Sequence, residues 1–378
     1  MIKLLIGGDI CPTENNIELF KEGNSKVLFN DLLENFEKSD FVIANLEFPI
    51  IEKKTPIAKS GAVFGAQIDV LNGLKNAGIN FLNLSNNHIL DHGEIGLKST
   101  LSALKKFNFE FSGAGENLKE ASTVFTKTID NITISIIGYC EHEFSTASNN
   151  NAGANPLDLI DFINKINLLK ETSDFILLLY HGGKENYNLP TPNQMKLCRF
   201  FIEQGVDMVS CQHSHTAGLI ENYNNGVIFY GQGNFVFDPF PLKKKWLYEG
   251  LLVDLKIFGK GKFEYEIIPY IHKSLIDGSV GIRKMNSDES MVFIENLDKL
   301  NSNFKLNPNL VIESWEQLSK KLENTYMSVL NGNGKLIRKL NEKTSFLNSI
   351  YKGSKRLTLK NIISCETHRE ILETILKK

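Results

Sequence analysis

Cys211-Gln212-His213-Ser214-His215 follows the apolar segment Met208-Val209. Two histidines at i and i+2 in a loop can both reach one cation, or two adjacent ones, because imidazole suits zinc, iron, manganese, nickel and copper. His181 ends the apolar run Phe175 to Tyr180, which leads on to Glu185, so it falls on the same rim as the histidine pair. Asp9, after Ile2 to Gly8, and Glu47, after Phe41-Val42-Ile43-Ala44, add hard oxygen ligands. One carboxylate can bridge two cations about 3.5–4 Å apart. The competing readings are a surface loop for the histidines and a turn or cap for Asp9. For Glu47, set before Phe48-Pro49, an unpaired carboxylate would be costly.

Asn86-Asn87-His88-x-x-Asp91-x-Gly93 is the most specific run. Asparagine is a neutral ligand through its carbonyl oxygen. His88 could donate a proton to a leaving group, and Asp91 could accept from its other ring nitrogen and fix the tautomer. Capping of the helix near Gly96 is the alternative. Val227 to Tyr230 leads into Gly231, Gly233 and Asn234, where the amide and the glycine backbone could position a phosphate, and Ile134 to Ile137 leads into Cys140, Glu141 and His142. Cys11, two residues after Asp9, belongs beside the same site with Glu185 and Asn234 as a substrate-side residue.

Seven apolar runs ending in such residues within 240 positions imply strands that discharge their chemistry at one crevice of an α/β sheet. Helices are expected over Glu18 to Lys38, Ile68 to Ala77, Gly96 to Phe107, Pro156 to Lys170 and Asn193 to Gln204. Hairpins are expected around Asp130-Asn131 and Gly259-Lys260-Gly261, so the sheet is mixed. Strand signals fade after residue 275. The division expected is a catalytic domain over 1–275 and a helical, basic extension over 276–378, with helices at Asn309 to Leu330 and Leu357 to Leu376.

With 42% hydrophobic and 23% charged residues, the 378-residue chain has the composition of a globular protein with a large core. The net charge of −2 gives no signal for nucleic acid, and no nucleic-acid partner is expected. Charge is nevertheless uneven: residues 335–360 hold eight basic side chains against the single acid Glu342. Five cysteines without a CxxC pair, no signal-peptide pattern and no apolar run near 18 residues lead to a cytoplasmic expectation. Peripheral contact with the inner membrane face through the basic tract is a further expectation.

Gly8-Asp9-x-x-Pro12, Asn45-Leu46-Glu47, Asn86-Asn87-His88-x-x-Asp91-x-Gly93, His181-x-Gly183-x-Glu185, His213-x-His215 and Gly233-Asn234-Phe235 form an ordered set that resembles the CapA family of capsule and poly-gamma-glutamate synthesis proteins. That family looks like an offshoot of the calcineurin-like metallophosphoesterases. The resemblance covers about residues 1–250. It implies a four-layer α-β-β-α fold with one or two divalent cations (Mn, Zn, Fe or Mg) held by Asp9, Glu47, Asn87, His181, His213 and His215, and His88 as the acid. The chain departs from the wider superfamily at Cys11, where Asp-x-His is usual, and at Glu47, where aspartate is usual. It also departs at Ser214 in place of proline and in the sequence Tyr230 to Gly233.

Three functions follow as expectations. The first is a metal-dependent phosphoric-ester hydrolase acting on a phosphorylated or anionic polymer or sugar substrate. The second applies the same site to an amide of a poly-gamma-glutamate-type polymer. The third is a non-catalytic polymer-binding scaffold.

Overall fold

A computed structural model describes residues 1–237, 245–331, 334–364, 368 and 371–372. Among these residues the strands form two large mixed sheets. The first runs in the order Ile282–Lys284, Lys262–His272, Glu249–Gly259, Ile2–Ile10, Phe41–Leu46, Phe81–Asn83, Glu110–Ser112, with Asn234–Val236 also paired parallel to Ile2–Ile10. The second runs Ile220–Tyr223, Gly226–Phe229, Met208–Gln212, Phe175–His181, Ile132–Cys140, Phe125–Ile129. The central strands of each are parallel; both flanks of the second sheet are antiparallel, whereas the first is antiparallel only on the Glu249–Gly259 side and stays parallel out to Glu110–Ser112.

Alternation along these strands sorts their side chains into layers. Leu4 and Ile6 of the first sheet join Ile134, Ile136, Leu177 and Leu179 of the second in one buried cluster between the sheets. Leu5, Val42, Ala44 and Leu82 point the other way, against Phe20, Leu28, Leu74 and Leu104 of the helical layer. On the far side of the second sheet, Phe162 of helix Leu159–Thr172 meets Phe201 of helix Pro192–Gln204, which in turn meets Tyr180. The architecture is therefore α-β-β-α. Strands covered on both faces need apolar residues throughout, which is why they read as unbroken runs.

Both hairpins are present. Asp130 and Asn131 have φ of 46° and 64°, the left-handed pair that a two-residue hairpin turn requires. Three helices differ from expectation, one of them, Gly93–Lys106, by opening three residues before Gly96. The stretch 18–38 is divided into Ile17–Lys21, Ser25–Phe29 and Leu33–Glu37, since Gly23 turns left-handed and the Asn24 side chain caps a new start by accepting from the Val27 amide. Helix Leu159–Thr172 opens three residues later than Pro156. Asp158 is its cap, accepting from Ile160 N and Asp161 N, while Pro156 bridges to Cys140.

The compact units are Met1–Pro308 and Asn309–Lys378. Strand Ile282–Lys284 and helix Ser287–Leu306 lie in the first unit, through pairing with Lys262–His272 and burial of Phe293 and Leu297 in the inter-sheet cluster, so that unit runs past residue 275. The second unit holds helices Leu310–Val329, Lys335–Thr344, Phe346–Ile350 and Ser354–Ser364. The rest of the helix expected at Leu357 to Leu376 lies largely outside the described residues.

Candidate metal centre

Strand register brings the site together. Asp9 is level with Asn45 and Asn234, and Asn45 with Asn83, while His181 is level with Cys140 and Gln212 in the other sheet. Buried amides join the two edges: Asn83 Nδ2 donates to Gln212 Oε1 (3.4 Å), Gln212 Nε2 to Gly7 O (3.2 Å) and Gln232 Nε2 to Ile6 O (2.8 Å). Gly8 permits this approach, because a Cβ there would fall on the Gly233 carbonyl oxygen. His213 and His215 both hold positive φ, 88° and 57°, which costs about 1 kcal/mol or more each and is the kind of strain found at functional sites.

Within this frame, Glu47 Oε1 lies 3.5 Å from His181 Nε2, which is 3.0 Å from Asn87 Oδ1. Atoms bound about 2.0–2.2 Å from one cation stand roughly 3.0–3.5 Å apart, the edge of an octahedron or tetrahedron. Donor atoms of Glu47, His181 and His213 fall within 4.8 Å of one another, as do those of Asp9, Glu47 and His215 and those of Glu185, His213 and His215. Glu47, His213 and His215 each belong to two of these groups, and of the three Glu47 is the carboxylate. It is fully buried, and neither carboxylate oxygen has a hydrogen-bond partner. His213 Nδ1 is likewise unpartnered. Buried, unsatisfied donors of this type fit a divalent cation.

The electrostatics agree with that fit. Burial, then the negative charges of Asp9, Glu185 and Asp91, push the Glu47 carboxyl well above its ordinary range, with Lys59 opposing. Burial also raises Asp9, against His215, the His213 amide and Asn45. Burial, then the neighbouring histidines, depress His181 far below its ordinary value and bring His213 to about 3. These imidazoles are neutral at pH 7, with lone pairs available to a cation. Burial followed by Glu47, Asp91 and Asp9 raises the Cys11 thiol well above its usual value, so it stays protonated.

His88 stands at the edge of the cluster. Its Nδ1 is 2.7 Å from Asp91 Oδ2, which also accepts from Phe64 N (2.7 Å), and Lys59 Nζ sits 2.6 Å from Asp91 Oδ1 and 3.0 Å from Asn87 O. Burial lifts the Asp91 carboxyl, but the bonds from His88, Lys59 and Phe64 outweigh it and hold it below its usual range. Asn234 Oδ1 is 2.8 Å from His215 Nδ1, so it orients that ring. Asn86 ties the loop to Leu46 O and caps His88 N. His92 is not in the cluster: its Nδ1 accepts from Thr55 N. Glu141 accepts from Tyr180 Oη and Gly183 N, while His142 is exposed. Glu185 is exposed beside the histidines.

Lys59, Phe64 and Phe237 were not expected from the sequence. Phe64 packs on His88 (centroids 4.4 Å) and Phe237 on His215 (5.6 Å), and both line a cleft of about 580 Å³ that reaches Cys11, Phe48 and Lys21. Lys59 lies in a segment without periodicity, and nothing local marks it.

The profile of the bacterial capsule synthesis protein family PGA_cap matches residues 3–239. The chain belongs to that family. Two relatives of this PGA_cap chain are the PGA biosynthesis protein CapA of Bacillus subtilis (strain 168) and the capsule biosynthesis protein CapA of Bacillus anthracis. The first is 29% identical over 318 residues, spanning 78% of this chain and 83% of the relative. The second is 27% identical over 271 residues, spanning 69% of this chain but only 65% of the relative. Among solved structures, a phosphatase from Mycoplasma pneumoniae aligns at TM-score 0.43 and 14% identity, over 71% of this chain and 92% of that one. The 5'-nucleotidase precursor of Thermus thermophilus aligns at 0.43 and 13%, over 81% and 59%. The layers described above rest on this chain's own sheets, not on those likenesses.

Proposed function

We propose that this PGA_cap chain is a metal-dependent hydrolase of phosphoric esters that acts in the synthesis of a capsule or another surface polymer. The observation that carries the reading is Glu47, a buried carboxylate with no hydrogen bond, standing among three histidines, Asn87 and Asp9. In this reading those six residues hold one or two divalent cations. A divalent cation so held supplies positive charge against phosphoryl oxygens and lowers the pKa of water. Asp9 and Glu47 would supply the compensating negative charge, and the three imidazoles would complete the donor set. His88 lies with Nδ1 2.7 Å from Asp91 Oδ2, and as the doubly protonated ring it would keep the Nδ1 proton on Asp91 and give the Nε2 proton to the departing oxygen. Lys59 and the Phe64 amide fix Asp91 and so fix the ring. Asn234 holds His215 in place. Phe64 and Phe237 wall the cleft where the remainder of the substrate would lie, and Cys11 meets it as a neutral thiol.

The test is turnover of phosphomonoesters and phosphodiesters by the full chain with Mn²⁺, compared with Glu47→Gln. Release of phosphate by the parent and its loss in the variant are expected. A metal-loaded protein that hydrolyses no ester would count against the reading. The PGA biosynthesis relatives favour a second reading, in which the same centre acts on an amide of a gamma-linked glutamate polymer. Release of glutamate without any ester hydrolysis would select it.

A further inference from the structure

Helix Lys335–Thr344 is amphipathic, yet the one side chain it buries is polar. Asn341 is fully buried: its Nδ2 donates to Asn324 O (2.9 Å), and its Oδ1 accepts from Leu347 N (3.0 Å). Asn324 also donates to Ser345 Oγ (3.0 Å) and accepts from Asn348 Nδ2 (3.0 Å). This asparagine–serine network fixes the rotation of the helix against Leu310–Val329. At about 100° per residue, Leu336, Ile337 and Leu340 then share an arc of roughly 100° beside that contact. They face solvent at 85%, 36% and 52% exposure. Lys343 and Lys339 border that arc on the Leu336 side, Lys335 and Arg338 lie further round, and the acid among them, Glu342, lies 3.4 Å from Arg338. Helix Ser354–Ser364 repeats the composition, with Leu357 exposed beside Lys355, Arg356 and Lys360.

Exposed leucines on a helix whose rotation is locked call for an apolar partner, and the flanking cations select what surrounds it. A second copy of this chain would set two such basic tracts against each other. A soluble polyanion would satisfy the lysines and leave the leucines in water. An anionic lipid surface answers both, with acyl chains for the apolar arc and headgroups for the basic side. No helix among the described residues is long and apolar enough to span a bilayer, so the contact would lie in the interface plane. We propose that the Leu336–Ile337–Leu340 face of helix Lys335–Thr344, flanked by its lysines, is a docking surface for anionic membranes.

The experiment is flotation of the full chain with vesicles of phosphatidylcholine alone, or with about a third phosphatidylglycerol, at about 0.1 M salt. Binding to the anionic vesicles at least tenfold tighter than to the neutral ones is expected. Lys335→Gln/Lys339→Gln/Lys343→Gln should weaken it by about 100-fold, at roughly fivefold per charge. Leu336→Ser/Leu340→Ser should abolish it with the melting temperature unchanged, because neither side chain is in the core. Leu336→Trp should shift its emission to the blue on anionic vesicles. Three results would overturn the proposal: no flotation of the parent, undiminished binding by the double serine variant, or concentration-dependent dimers that the serine variant disperses.

Discussion

The Lys59 ammonium lies 2.6 Å from Asp91 Oδ1, with both side chains withdrawn from solvent, while the other Asp91 oxygen meets His88 Nδ1. One carboxylate thus ties a loop of no regular structure to the histidine beside the candidate metal centre. Removing one partner of a buried pair leaves a charge without compensation, at about 3–5 kcal/mol. Lys59→Met should therefore lower stability by that order in urea titration, and Lys59→Met/Asp91→Leu should lose less than the sum of the two single changes. Strict additivity would mean the pair is not coupled.

His88 has its expected effect only where a proton must reach the leaving oxygen. His88→Ala should slow hydrolysis of alkyl phosphates by about 10²–10⁴-fold. On a nitrophenyl ester, whose leaving group departs as an anion, the loss should be much smaller. Equal losses on both substrates would make His88 structural rather than an acid.

Asp9, Glu47, His181, His213 and His215 were legible because each ends or follows an apolar strand, and a chain that folds into parallel strands must gather such ends at one edge. The layers were legible for a related reason, since strands covered on both faces show unbroken apolar runs. The division of residues 18–38 was hidden, because Leu28, Leu32, Leu33 and Phe36 keep helical spacing across the bend at Asn30. Lys59 was hidden too: its partners, Asp91 and Asn87, come from a loop some 30 positions away, and a lysine near Pro56 and Gly61 looks like solvent-facing chain. The buried amides Asn83 and Gln212 could have been found, as Asn45 was, as polar residues ending apolar strands. Their function in joining the two sheets required the register.

Gly8 should tolerate no side chain. Gly8→Ala drives a methyl group into the Gly233 carbonyl, and overpacking of this kind costs about 1–3 kcal/mol. Because Asp9 follows directly, the same variant should lose cation affinity in a thermal-shift titration with Mn²⁺. Gly7→Ala, which would press instead on the Phe235 ring, should lose stability with a smaller effect on affinity.

Proton and cation compete at Glu47. Its folded carboxyl is raised by burial above the roughly 4.3 of the unfolded chain, so the stability this group gives the metal-free protein is fully present below that value. It is lost as pH rises through the folded value. His213 has the opposite sign: depressed to about 3, it favours the fold above the unfolded value of about 6.5, and that contribution is lost as pH falls from there towards about 3. Mn²⁺ should displace the Glu47 proton, so its stabilising effect should grow as pH rises from about 5 to 8. Calorimetry in buffers of different ionisation heat should show proton release on binding, and Glu47→Gln should remove it. A stabilisation independent of pH would contradict this account of Glu47.

Elemental analysis of the full chain purified without chelator tests the central claim most directly. One or two equivalents of a divalent transition metal are expected, falling sharply in Glu47→Gln and His181→Ala proteins that retain the parent's circular dichroism. A folded parent that carries no metal, and whose melting temperature Mn²⁺, Zn²⁺ and Fe²⁺ all leave unmoved, would show that these six side chains do not form a cation site.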